Sequence, residues 1–243
     1  MSENGKYNYQ GNRNTPNERS FDRGNKTSNY VMDKKFEEAS MAYLRNTSIF
    51  NDIHVKEEVK DYKRQKRGID IIAEIDNIDT TVDVKAIASQ LPTFCFELAG
   101  SVSTGQVGWL INDELETDYY LLVYHDTGGD DSYSFSKNKI IKDNACIQET
   151  EAILIKKSAL LNKIEEEIHC DLNRIVELIR QKDTSKYRTE RLKFNAEGEI
   201  FWGKGGNIYF TLSKKLKEQP INVVVRKNIL YSIATKRWLI QEK

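Results

Sequence analysis

The sequence predicts an α/β fold, a mixed sheet covered by helices. Three observations carry this expectation: helical spacing of Met32, Phe36, Ala39 and Tyr43; strict alternation through Ile69–Ile75 and Thr80–Ile87; and a long helical periodicity over Ser158–Gln181 set among further strand-like runs. An apolar side chain every three to four residues lines one face of a helix, and every second residue lines one face of a strand. With 243 residues the chain can bury a core without covalent staples. Cys95, Cys146 and Cys170 are odd in number and form no C-x-x-C pair, which argues against a disulfide framework and a zinc knuckle.

Residues 1–30 contain no Leu, Ile or Val and are expected to form a disordered tail. A core is expected over 31–126, a loop or linker over 127–138 and an α+β region over 139–243. The first helix runs Met32–Arg45, with Asp33 near its start. Strands follow at Ile53–Val59, Ile69–Ile75 and Thr80–Ile87, the last two joined through a turn at Asp76–Asp79. Thr93–Leu98 reads as a strand, Gly105–Asn112 as a turn and short helix, and Tyr119–His125 as a buried strand. Gly128, Gly129, Asp130 and Asp131 mark the loop before the C-terminal half. That half offers a strand at Ala152–Lys156, one helix or two at Ser158–Gln181, a β-rich segment at Arg191–Leu212, an apolar run at Ile221–Val225 and a terminal helix.

Net charge is zero, so no global field draws the whole molecule onto a polyanion. The charges are unevenly spread. Lys60, Lys63, Arg64, Lys66 and Arg67 face Asp61 alone, in what reads as a basic hairpin between the first two strands, and residues 204–243 hold nine Lys/Arg against two acids. Residues 86–136 hold eight acids and no Lys or Arg. Nucleic acid would have to be gripped locally, with the 60–67 segment as the candidate anchor for backbone phosphates.

The alternation puts Ile69, Ile71, Ala73 and Ile75 on one face of a strand and Val82, Val84 and Ala86 on one face of its partner. Asp70, Glu74, Asp83 and Lys85 take the opposite face. In the two tightest hairpin registers Asp70 stands opposite Asp83 or Lys85, and both registers preserve the faces, so all three meet in one cleft. Two carboxylates on adjacent strands offer the oxygen donors that Mg²⁺ or Mn²⁺ favours. The triplet Asp83-Val84-Lys85 is commonplace by itself, since Asp33-Lys34-Lys35, Glu58-Val59-Lys60 and Asp61-Tyr62-Lys63 also fit acid-x-Lys. Its setting in an alternating strand, thirteen positions after Asp70 and behind Gly68-Ile69, distinguishes it.

With these residues the chain resembles the PD-(D/E)xK nuclease superfamily, whose restriction-endonuclease-like core runs helix, three strands, helix, strand (αβββαβ). The resemblance covers roughly 32–126. Phe96-Glu97-Leu98, Gly108-Trp109-Leu110 and Asp118-Tyr119 resemble a pattern of phage-type members. Ile69 stands where the name-giving proline would, and the segment after Lys85 opens with a strand in place of a helix. The resemblance implies metal ligation by Asp70 and Asp83, completed by a helical Glu. Glu37 is the candidate, about 20° from Leu44 on a helical wheel and so at the border of the buried face. Glu97 is a further candidate, toward a second metal. The resemblance also implies that Lys85 orients or deprotonates the attacking water. The expected function is a Mg²⁺-dependent DNA endonuclease in restriction, recombination or phage defence, acting in the cytoplasm of a bacterial or phage-infected cell.

Plainer readings stand beside these. Asp70, Asp83 and Lys85 also suit a solvated sheet face with a cross-strand ion pair, and Lys60–Arg67 a merely soluble hairpin tip. Gly203-Lys204-Gly205-Gly206 lacks phosphate-loop spacing and reads as a turn. His54, His125 and His169 share no ligand spacing and read as structural, and the Ser158–Gln181 stripe as core or a homodimer seam. Two functional alternatives are a catalytically silent relative that binds nucleic acid or blocks a host protein, with the acidic 86–136 stretch mimicking DNA, and an RNA-directed nuclease. The longest apolar run, Tyr119–Tyr124, is too short to span a bilayer.

Overall fold

The computed structural model describes residues 26–100, 105–129, 132–181, 192–194, 200–202, 206–212 and 219–241. The tail expected over 1–30 lies mostly outside the described residues, as does Gly203-Lys204-Gly205 of the glycine-rich turn. Residues 26–30, however, belong to the first helix, α1 (Lys26–Leu44), so helix replaces the expected disorder there.

Two sheets form the scaffold. The first has six strands in the order β1 (Val55–Glu58), β2 (Ile71–Ile75), β3 (Ile78–Ile87), β5 (Tyr119–Asp126), β6 (Glu149–Lys156) and β11 (Lys236–Gln241). Neighbours are antiparallel except β3 and β5, which are parallel. The second sheet runs β4 (Thr93–Ala99), β10 (Ile221–Arg226), β9 (Ile208–Leu212), β7 (Leu192–Phe194) and β8 (Ile200–Trp202). One face of the six-stranded sheet, with Ile71, Ala73, Val82, Val84, Leu121 and Val123, packs on Phe36, Tyr43 and Leu44 of α1 and on Ile49 and Phe50 of α2 (Ser48–Asp52). The other face, with Tyr120, Leu122, Tyr124, Ile153 and Ile155, packs on the second sheet and on α5 (Lys157–Ile168) and α6 (Leu172–Gln181). A strand covered on both faces reads as a continuous apolar run, which is why Tyr119–Tyr124 lacks alternation.

The β2–β3 hairpin turns through Asp76 (φ 54°) and Asn77 (φ 63°), two residues that tolerate the left-handed region a two-residue hairpin requires. This sets the register Ile75↔Ile78 to Ile71↔Val82. One step beyond it Asp70 stands opposite Asp83, the tighter of the two expected arrangements.

Several expectations are corrected. Lys60–Arg67 is not a hairpin: Asp61 accepts from the backbone N–H groups of Lys63 and Arg64 and caps a short helix, α3 (Tyr62–Lys66). Residues 105–112 contain no helix. Val107 bridges Ala99, while the Gly108 and Leu110 amides donate to the Leu98 and Glu97 carbonyls, so the segment folds back along β4. The Ser158–Gln181 periodicity, expected as one helix or two, is two helices, interrupted at His169, whose φ of 53° ends α5. The chain finishes with α7 (Lys227–Ser232) and then β11, where a terminal helix was expected; Trp238 and Ile240 alternate inward along that strand.

The expected second core helix, between β3 and β5, is absent from the described residues of that connection. β4 departs there to build the second sheet. Both sheets combine strands from before and after residues 127–138, and α4 (Tyr133–Lys142) returns to pack on α1. The division at 127–138 therefore does not separate the sheets.

Candidate metal and nucleic-acid cleft

β2 pairs with β3 only as far as Ile71↔Val82, so the second half of β3 has β5 on one side and an opening on the other. Asp70 lies at this point of divergence. Its backbone bridges neighbours, the amide donating to Val82 (3.0 Å) and the carbonyl accepting from Val59 (2.8 Å). Its carboxylate accepts from the Val84 amide at 2.8 Å, satisfying a strand N–H that β2 no longer reaches. Gly68 makes this approach possible: its φ is 74°, and a Cβ there would lie 2.3 Å from the Thr117 hydroxyl, which donates to the Gly68 carbonyl.

Asp83 is 3% exposed and lines the same cleft as Asp70. Lys85 Nζ lies 2.9 Å from Asp83 Oδ1. Burial, reinforced by the Asp70 charge and opposed by Lys85, pushes the Asp83 carboxyl up to about 7. For Lys85, burial favours the neutral amine, but Asp83, Asp70 and Glu37 together outweigh it and hold the pKa above the ordinary lysine value.

Glu37 reaches the cleft from α1. Dehydration by the cleft walls raises its pKa, Asp70 adds to the rise, and Lys85 opposes it. Glu38 also borders the cleft, although the helical wheel points it away; the coupling to Lys85 and Asp70 belongs to Glu37. Glu97 arrives from β4 in the facing sheet, not from a neighbouring strand of the same sheet. Burial raises its pKa, against the pull of Lys85. Asp83 therefore pairs directly with Lys85, while Asp70, Glu37 and Glu97 act on it through their charge.

The cleft encloses about 1100 Å³ and is lined by Lys34, Arg45, Lys60, Tyr62, Lys66 and Trp109, with Arg45 held by Glu58 at 2.5 Å. Of the five basic residues expected at 60–67, Lys60 and Lys66 line it; Arg64 pairs with Glu57 at 2.6 Å and Arg67 with Glu116. Lys63 is exposed on α3 outside the lining. Trp109 went unnoticed as a site residue: its ring centroid is 5.1 Å from Lys85 Nζ. The Gly108-Trp109 pair was the available signal. His125 does not belong to the cleft chemistry. It is fully buried at 2.8 Å from both Ser40 and Thr150, where burial lowers its pKa to about 3 and keeps it neutral.

Among the described residues, no three Asp, Glu, His or Cys side chains converge as a ready-made metal cage. The donor set at Asp70 and Asp83 nevertheless suits a hard cation. It is all oxygen, and the burial that raises Asp83, reinforced by the Asp70 charge, penalises a charged form that a divalent ion would stabilise. No family model matches the chain, and neither a curated protein nor a solved structure matches it significantly.

Proposed function

We propose that this protein is a divalent-metal-dependent nuclease that hydrolyses phosphodiester bonds at the Asp70–Asp83–Lys85 cluster. The observation that carries the reading is the Lys85–Asp83 ion pair beside Asp70, whose carboxylate accepts from the Val84 amide, in a cleft whose walls carry Lys34, Lys60 and Lys66. Asp70 and Asp83 would hold Mg²⁺ or Mn²⁺, with Glu37 within reach of the same charges. When bound, the cation supplies charge stabilisation to the phosphoryl oxygens and activates water.

The protein's own groups would do the rest. Lysines on the cleft wall bind backbone phosphates and keep the scissile bond over the floor. Lys85, held as an ammonium by its carboxylate neighbours, suits orienting water and stabilising negative charge better than removing a proton. A water oxygen forms the new bond to phosphorus, the ester bond to the leaving oxygen breaks, the water proton passes to solvent or to a carboxylate of the cluster, and the leaving oxygen takes up a proton from solvent.

Two observations favour a second reading, a catalytically silent nucleic-acid-binding relative. The Lys85–Asp83 ion pair is closed, and among the described residues three ligands do not converge. Incubating supercoiled plasmid, single-stranded DNA and RNA with wild type and Asp83→Asn, in Mg²⁺ and in EDTA, separates the two. The nuclease reading expects cleavage only by wild type with Mg²⁺, the preferred substrate distinguishing DNA from RNA. Binding without cleavage of any substrate supports the silent relative.

A further inference from the structure

We propose that Trp109 is a positioning residue for Lys85, its indole face fixing where the ammonium stands in the cleft. The proposal rests on the nuclease reading for its catalytic consequence, but its physical content is independent of it.

Lys85 has a long stem and pairs with Asp83 at 2.9 Å, while the charges of Asp70, Glu37 and Glu97 draw it from the loop before β2, from α1 and from β4. The ion pair holds one side of the ammonium. The indole holds another, because a cation prefers the centre of the ring face, and 5.1 Å from Nζ to the centroid is within the effective range. The ring itself is held. It packs edge-on to Tyr120 with centroids 5.3 Å apart and tilted on Phe96 at 5.6 Å, and the Tyr120 hydroxyl donates to the Trp109 carbonyl at 3.4 Å.

The backbone on either side is pinned to β4. Gly108 N–H donates to Leu98 O at 2.8 Å and Leu110 N–H to Glu97 O at 3.1 Å. A Cβ on Gly108 would stand 2.5 Å from the Glu97 carbonyl oxygen, so glycine is required for this approach. The segment expected as a turn and short helix instead delivers an aromatic face to the lysine. The indole bears no formal charge, so it keeps its hold on the ammonium when a divalent cation competes with Lys85 for Asp83.

The test uses the full chain carrying Trp202→Phe and Trp238→Phe, which leaves Trp109 as the sole tryptophan emitter. Lys85→Met in that background should change Trp109 emission intensity, and added Mg²⁺ should leave the Lys85-dependent part of the signal in place. In steady-state cleavage, Trp109→Leu should lower kcat about tenfold with KM changed less than about threefold, whereas Trp109→Phe should retain most of kcat. If Trp109→Leu does not fold, Trp109→Met takes its place with the same expectation.

Full kcat in a folded Leu or Met variant overturns the proposal, and so does emission indifferent to Lys85→Met. A wild type inert toward every nucleic acid would sink the nuclease reading. The emission change would then decide alone whether Trp109 seats Lys85.

Discussion

Two buried acid–lysine clusters sit on the six-stranded sheet, and their difference separates structure from chemistry. Around Glu151 on β6, one carboxylate receives Lys227 Nζ at 2.5 Å, the Tyr231 hydroxyl at 2.6 Å and Arg237 at 3.7 Å, while Lys227 also donates to Gln90 and lies over the Tyr124 ring. Donors outnumber the acid, and the network ties α7 to β6 and to the edge strand β11 of the sheet. Around Lys85 the ratio is reversed, with one cation among four carboxylates beside an open cleft. A saturated pair stabilises a fold, whereas an excess of carboxylates costs stability and is suited to recruiting a cation.

The sharpest way to break this contrast is to remove the cleft groups. Asp83→Asn and Lys85→Ala should each lower cleavage by roughly a thousandfold or more while circular dichroism and cooperative melting persist, since neither side chain holds the core together. Normal turnover in either variant would return the cluster to the status of an ordinary ion pair.

The Glu151 cluster should respond in the opposite way. Glu151→Ala strands the mostly buried Lys227 and should destabilise the protein by about 3 kcal/mol in denaturant titrations, with cleavage per folded molecule unchanged.

The pH dependence sharpens the comparison further. His125, neutral in the fold with a pKa near 3 against about 6.5 when unfolded, binds fewer protons folded than unfolded between those values. Stability from this group is thus lost as pH falls, roughly 3 kcal/mol between pH 7.5 and 4.5, and His125→Gln should flatten that slope. Asp83 acts in reverse. Its folded pKa near 7 exceeds the unfolded value, so it erodes stability as pH rises from about 4 to 7. Metal-free Asp83→Asn should therefore melt a few degrees above wild type at pH 8, with the difference vanishing near pH 4.

The smallest expected effect divides the basic segment itself. Lys60→Gln with Lys66→Gln should weaken nucleic-acid binding in Ca²⁺ and flatten the log–log salt dependence by up to roughly 0.9 per lost duplex contact. Arg64→Gln with Arg67→Gln should change it less, because those guanidiniums already face Glu57 and Glu116. Equal slopes for the two pairs would show that the cleft wall does not select which cations bind.

These assignments were unevenly legible in the sequence. The β2–β3 hairpin is local: its turn residues and alternation placed Asp70, Asp83 and Lys85 together, and the observed register is one of the two expected. Glu97 and Trp109 depend on β4 leaving to pair with β10, a strand from near the end of the chain. No local periodicity announces such a pairing, so the helix expected before β5 was the natural but mistaken inference. The α3 error had a readable remedy in Asp61, whose position ahead of Lys63 and Arg64 is a helix N-cap pattern. The final strand was lost to its length, six residues with only Trp238 and Ile240 turned inward.

The nuclease function requires that the Asp70–Asp83 pair take up a divalent cation. Calorimetric titration of Mn²⁺ into wild type, Asp70→Asn and Asp83→Asn answers this most directly. The expected result is binding by wild type that weakens below about pH 7, as protons compete for Asp83, and is lost in both variants. Identical isotherms for all three proteins, or no Mn²⁺ uptake by wild type at pH 8, would contradict it.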